Sequence, residues 1–216
     1  MLRTILAPAR TTIAALALVL AGCGSSGDVP PAAGPDRSPP PAREPAGEIV
    51  ASAPPDVEAA LRAPATETPV GAGTRRAVLL PRERVLEIRE GDRVVDSAPA
   101  GAGPTHVVRG ERGLAYVVDT AGDGLLVFET TGELRILRRY PLAGAPYGAA
   151  SDLRNGRLWV TLTARNELVE LATSARPHRL DSFPTVRQPD AVAVDARGRV
   201  FVAGEELQVL DPRRSR

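Results

Sequence analysis

The chain has 216 residues, of which 25% are charged, with 27 Lys+Arg against 26 Asp+Glu and a formal net charge of +1. Every basic residue is Arg, so there is neither a Walker-type phosphate lysine nor a lysine for a Schiff base. The near-neutral, mixed charge gives no electrostatic case for nucleic acid, and the single cysteine, Cys23, excludes an intrachain disulfide and a multi-cysteine metal site.

Reading from the N-terminus, Arg3 and Arg10 precede an apolar run, Ile13 to Leu20, that closes on Leu20-Ala21-Gly22-Cys23. A basic n-region, a short h-region and a small-residue site form a secretory signal, and the run is shorter than the ~20 apolar residues of an ordinary membrane span. The four closing residues resemble the lipobox of bacterial lipoprotein signal peptides. The resemblance implies cleavage before Cys23, so that residues 1–22 are the signal peptide, and a diacylglycerol on the Cys23 thiol. The expected location is extracytoplasmic, anchored to the bacterial membrane by that lipid.

Residues 23–70 read as a lipidated N-terminus followed by a flexible, disordered Pro/Ala-rich linker. Residues 28–70 hold eleven prolines and no aromatic residue. Proline fixes φ and lacks an N–H, which favours extended polyproline II over regular ladders. Asp56 to Arg62 is the one segment with helical character, two turns starting near Pro55 or Asp56. It is too short to persist unless it docks.

Residues 71–216 form the repeat domain, with a period of about 42 residues marked by Pro104, Pro146 and Pro189. After each proline comes a short first strand, around Val107, Ala149 and Val192. A polar turn follows, then a second strand carrying an aromatic: Tyr116, Trp159 and Phe201. Third strands read Leu125–Phe128, Leu168–Leu171 and Leu207–Leu210, and fourth strands read Leu134–Leu137 and His178–Leu180. An incomplete unit precedes these, with Ala77–Leu80, Val85–Ile88 and Arg93–Val95 in the second, third and fourth places. Short strands in units of four at this period are propeller features, because one four-stranded sheet cannot bury both its faces alone. The predicted fold is all-β: a small, atypical or incomplete β-propeller of about four blades, two complete and two partial. Three arrangements stay open: a four-bladed ring, an open arc or truncated part of a larger propeller, and a ring closed by a partner chain or by self-association.

The repeat resembles the YVTN/NHL-like propeller family over about residues 75–211. The resemblance is carried by Pro146-Tyr147-Gly148 with Leu158-Trp159-Val160-Thr161, by Pro189-Asp190-Ala191-Val192 with Val200-Phe201-Val202, and by Tyr116-Val117-Val118-Asp119. It implies that loops entering the first strands share a face with the second-to-third-strand loops, and that ligands bind there. Mapped onto this chain, that candidate binding face carries His106, Tyr147, Arg165, Asn166, Asp190 and Glu205. Asp119 and Asp123 flank Thr120-Ala121-Gly122, a pattern open to a hard cation but better matched by an Asx-type turn. Trp159 reads as inter-blade packing.

No Gly-x-Ser-x-Gly elbow and no His-Glu-x-x-His pattern is present, so no catalytic residue and no metal ligand is assigned and no cofactor is expected. A divalent cation stays open, because related propellers include metal-dependent lactonases and lyases. The expected function is therefore a membrane-tethered extracytoplasmic binding or interaction module with a protein or cell-envelope partner and no nucleic acid. The alternatives are a metal-dependent lactonase-like or lyase-like enzyme, and a fragment of a larger propeller without activity of its own. Cys23→Ser is expected to abolish incorporation of a fatty-acid probe and to leave the protein uncleaved or released. Equal labelling of both forms would refute lipidation.

Overall fold

The structure, a computed structural model, describes residues 38–63 and 65–213; the signal sequence and Cys23 lie outside them. Its strands form four antiparallel four-stranded sheets. Blade 1 is β2 (Glu67–Pro69), β3 (Arg75–Leu80), β4 (Val85–Glu90) and β5 (Arg93–Pro99). Blade 2 is β6 (Pro104–Arg109), β7 (Leu114–Asp119), β8 (Gly124–Glu129) and β9 (Arg135–Pro141). Blade 3 is β10 (Pro146–Asp152), β11 (Arg157–Leu162), β12 (Glu167–Ala172) and β13 (Arg179–Pro184). Blade 4 has three consecutive strands, β14 (Ala191–Val194), β15 (Val200–Ala203) and β16 (Leu207–Leu210). Its fourth and outermost strand is β1 (Glu48–Val50), where Ile49 pairs with Gln208.

The two units that look partial in the sequence are thus completed by residues 48–50 and 67–69. This corrects the reading of the whole stretch to residue 70 as a flexible linker. Prolines do not prevent these pairings because the strands are three residues long and only Pro69, at the end of β2, lies within one. Both are lateral strands of their blades, where a missing N–H facing away from the ladder costs little.

Blades pack through alternate residues of their inner strands. Ala77, Leu79, Leu86 and Ile88 of blade 1 meet Val107, Val117 and Phe128 of blade 2. Tyr116 and Val118 of blade 2 meet Leu158, Val160 and Leu171 of blade 3. Trp159 of blade 3 meets Phe183, Val200 and Val202, with the Phe183 ring centroid 6.0 Å away. The predicted aromatic positions do fill the gaps between blades. Phe201, the next in the series, meets Val57 of α1 (Pro55–Arg62) instead of another blade.

The helix therefore stands where a succeeding blade would. Pro55 opens it without losing a needed hydrogen bond, Asp56 and Glu58 suit the positive end of its dipole, and Arg62 pairs with Glu58 at 3.1 Å. Val57 is buried, and Leu61 packs partly beside it. Burial of an apolar side chain supplies what an eight-residue helix lacks alone. At the other end of the arc, the outward face of blade 1 carries Val78, Leu80 and Val85 among the ion pairs Arg76–Glu67 (2.7 Å) and Arg89–Glu87 (2.6 Å). The same face of blade 2 presents Ala115, Val117, Leu126 and Phe128, all buried. Among the described residues the four blades form an arc, capped by a helix at one end and by charged side chains at the other.

Gln208 holds the completing strand. Its side chain is fully buried: Oε1 accepts from Val186 N at 3.0 Å, and Nε2 donates to Ala46 O at 2.5 Å and Pro184 O at 3.1 Å. Ala46 N donates to the same Pro184 carbonyl at 2.9 Å. Gln208→Ala strips three backbone groups of a partner and is expected to cost about 2–4 kcal/mol, read by urea denaturation, with faster hydrogen exchange at Val50. Trp159→Ala is expected to cost about 3–5 kcal/mol through the cavity it leaves, read as a lowered Tm.

Candidate binding face

The starts of the innermost strands bring three of the six sequence candidates together. His106 on β6 and Tyr147 on β10 form an edge-to-face pair, ring centroids 5.0 Å apart at 68°. This is the geometry that the ring quadrupoles favour. Asp190, leading into β14, is the third. Its negative charge acts on Tyr147, whose phenol is pushed up chiefly by burial and then by that charge. Desolvation likewise lifts the Asp190 carboxyl above its ordinary value, against a lowering backbone hydrogen bond. The strands approach closely because Gly148 takes the place that His106 occupies in the preceding blade. A Cβ there would stand 2.7 Å from Asp190 O.

Burial lowers His106 to about 4, so the imidazole is neutral at pH 7. Its Nδ1 is buried with no hydrogen-bond partner among the described residues. At neutral pH the face therefore presents an uncharged imidazole, a protonated phenol and a carboxylate.

The other three candidates go different ways. Arg165 sits in a 3-10 turn (Thr163–Arg165) and is exposed, its alkyl stem lying over Gly144. Asn166 is buried and has left the face. It adopts φ +50°, Ser38 Oγ lies 2.5 Å from its Oδ1, its Nδ2 donates to Pro39 O at 2.7 Å, and Gln188 N donates to Oδ1 at 3.0 Å. Its polar atoms are consumed in pinning the incoming chain. Glu205 accepts from Arg187 Nη1 at 2.8 Å and shares with Asp190 and α1 a groove of about 380 Å³.

Of the expected Asx-type turn only the Asp119–Gly122 bond is local; Asp119 otherwise, and Asp123 entirely, bond the backbone of the loops leading into the first strands of blades 2 and 3. Asp119 Oδ1 accepts from Ala102 N (2.9 Å), Gly103 N (2.8 Å) and Gly122 N (3.2 Å). Asp123 Oδ1 accepts from Gly144 N and Ala145 N, both at 3.1 Å. Two threonines of the second-to-third-strand loops do related work. Thr120 Oγ1 donates to Pro146 O at 2.6 Å and Thr163 Oγ1 to Pro189 O at 3.2 Å. Each hydroxyl ties the end of a second strand to the proline that opens the next blade. Each lies 26 residues before its proline, so the tie repeats with the blades. Among the described residues no cluster of three or more His, Cys, Asp or Glu is placed to hold a metal, and no helix is long and apolar enough to cross a membrane.

This fold and face define a β-propeller protein, and solved structures agree. The chain is similar to a catalytically inactive variant of virginiamycin B lyase from Staphylococcus aureus bound to quinupristin, at 14% identity and TM-score 0.52, covering 63% of this chain and 47% of that one. It is similar to the periplasmic gluconolactonase PpgL of Pseudomonas aeruginosa at 21% identity and TM-score 0.54, covering 67% and 49%. The WD40 propeller domain of Doa1 matches at 10% identity and TM-score 0.55, covering 64% and 47%. At these identities the likeness is one of fold, and the chain spans about half the length of each of the three. No protein-family model matches the chain, and neither does any curated protein sequence.

The depressed His106 makes stability depend on pH. Between about 4 and 6.5 the unfolded chain binds a proton there that the folded protein does not. The stabilisation is therefore complete above pH 6.5 and is lost as pH falls through that window, by of order 3 kcal/mol from this group. His106→Gln is expected to flatten the fall in Tm between pH 6.5 and 4 relative to the parent protein.

Proposed function

We propose that this protein is a binding module of the cell envelope, tethered to the membrane through lipid on Cys23, that engages a protein or envelope partner on the His106–Tyr147–Asp190 face. The observation that carries this reading is the convergence of those three side chains from three successive blades. An imidazole held neutral, a phenol and a carboxylate supply hydrogen-bond donors and acceptors beside aromatic surface, the mixture found in recognition patches. Exposed Arg165, whose stem lies over Gly144 in the loop leading to Tyr147, adds a cation at the rim. The residues preceding β1 lie against blade 3 at Thr163 and Asn166, so the tether joins the domain beside the second-to-third-strand loops.

The enzyme reading draws on the lyase and the lactonase among the similar structures. It needs a divalent ion at the channel mouth and makes a different prediction in solution. Calorimetry of the lipid-free protein with Ca2+, Mg2+, Mn2+ and Zn2+ is expected to give no stoichiometric submicromolar binding. Such binding, abolished in His106→Ala or Asp190→Ala, would replace the binding module with a metal-dependent lactonase-like or lyase-like enzyme. In cells, a photo-crosslinker at position 165 is expected to capture a partner, and Tyr147→Ala is expected to abolish the adduct without changing Tm by more than a few degrees. An adduct that survives Tyr147→Ala would remove this face from the interaction. A captured species that is the chain itself would make the partner a second copy.

A further inference from the structure

The first strands of blades 2, 3 and 4 start at the Tyr147 face and run away from it. The turns that follow them, at residues 110–113, 153–156 and 195–199, therefore lie at the opposite end of the arc. They stand side by side. A Cβ on Gly156 would lie 3.6 Å from Glu111 Oε1, and one on Gly198 3.5 Å from Asn155 Nδ2. Each turn region combines acidic and basic residues, and the fold sorts them. Asp152 and Asp195 are buried and hold their own turns: Asp152 Oδ2 accepts from Asn155 Nδ2 at 2.6 Å, and Asp195 Oδ2 from Arg199 Nε at 2.8 Å. Glu111 is half-buried and accepts from Thr173 Oγ1 at 3.1 Å. The guanidinium groups go the other way.

Arg109, Arg112, Arg154 and Arg197 are exposed, and none of their guanidinium groups has an ion pair or a hydrogen bond among the described residues. Arg109 and Arg154 line one groove of about 290 Å³, with half-buried Leu153 beside them. Exposed carboxylates at this end, among them Glu48, Asp92 and Glu133, stand toward the outer edges of the blades, on the outermost strands or the loops leading into them. The row of inner turns thus presents four free cations, drawn from three successive blades, around an aliphatic side chain.

We infer that this row of turns docks on an anionic lipid bilayer, with the four arginines at the headgroup phosphates and Leu153 beside them. A guanidinium fork matches a phosphate in geometry and charge. Each arginine near an anionic surface adds about fivefold in affinity, and apolar contact adds to it. At the opposite end, blade 4 carries exposed Asp190, Glu205 and Glu206, which such a surface repels. Charge therefore selects an orientation in which the Tyr147 face points away from the bilayer. The setting rests on the membrane tether proposed above. Ser38, bonded to blade 3 through Thr163 O, is 15 positions beyond Cys23. That length reaches at most ~50 Å, against ~20 Å for a six-residue strand, so the tether allows either end to meet the membrane and the arginines choose between them.

The test uses the full chain with Cys23→Ser, which removes its single cysteine, and a fluorophore on one new cysteine. Ala196→Cys places the label between Asp195 and Arg197; Glu206→Cys places it at the Tyr147 end. Vesicles carry a headgroup quencher and consist of equal parts phosphatidylglycerol and phosphatidylcholine, or of phosphatidylcholine alone. The label at 196 is expected to be quenched by the anionic vesicles only, and to recover as sodium chloride rises from about 0.15 M to about 1 M. The label at 206 is expected to stay bright. Arg109→Ala with Arg154→Ala is expected to raise the lipid concentration at half-quenching about 25-fold, with Tm unchanged because neither guanidinium has a partner to lose. This chain cannot be lipidated at position 23, so failure to dock is read separately from failure of fatty-acid labelling. No quenching by anionic vesicles, equal quenching by neutral ones, quenching at 206 as strong as at 196, or no effect of the two substitutions overturns the proposal. A label at 196 that soluble polyglutamate polarises but anionic vesicles leave unquenched overturns the membrane assignment in favour of an anionic polymer.

Discussion

The amide of Gln208 is the interaction on which the far half of this domain rests. It is buried in the third strand of the last blade and bonds to three backbone groups, on Ala46, Pro184 and Val186. Those bonds fix the approach of β1, which completes blade 4, and β1 in turn delivers α1 to the outer face of that blade. Without the helix, Phe201 and Ala193 would face solvent. A charged or apolar residue at position 208 could fill the space but could not act as donor and acceptor at once.

The two ends of the arc solve one problem in different ways. A blade has two broad faces, and in a closed ring each is covered by a neighbour. Here α1 takes the neighbour's place at blade 4, while blade 1 places Arg76, Glu67, Glu87 and Arg89 on its outward face. Repeat proteins need terminal units with a polar outer face for this reason. Each exposed pair adds little stability by itself. Their weight lies in making that face unattractive to another sheet.

Much of this was legible in the sequence because blades are local. Pro104, Pro146 and Pro189 open or immediately precede inner strands; Tyr116 and Trp159 lie between blades, as their spacing implied, while Phe201 faces the helix instead. The helix near Asp56 was also visible, together with its need to dock. What escaped was non-local. Glu48–Val50 is too short to show alternation, and its partner is at the other end of the chain; Glu67–Pro69 ends in a proline, which reads as a breaker. On the candidate face, His106, Tyr147 and Asp190 converge because their places in the repeat are nearly equivalent, a relation that spacing preserves. Asn166 comes from a second-to-third-strand loop, where its left-handed backbone and the chain crossing over it turn the side chain to structural use. Neither property is written in local sequence. Trp159 was readable as a packing residue.

The pairing of Ile49 with Gln208 also has a temporal side. A ribosome makes the chain from its N-terminus, so β1 exists long before β16. Blades 1, 2 and 3 can each assemble from strands made one after another, with short loops to close. Blade 4 has to recruit a strand across nearly the whole domain, and the entropy of closing so long a loop is paid before any of its contacts form. The completing strand is thus the oldest of the described strands and the last to find its place. Until then β16 offers an open edge and Gln208 is unsatisfied. Folding of this domain would finish at a single late step that joins its two ends.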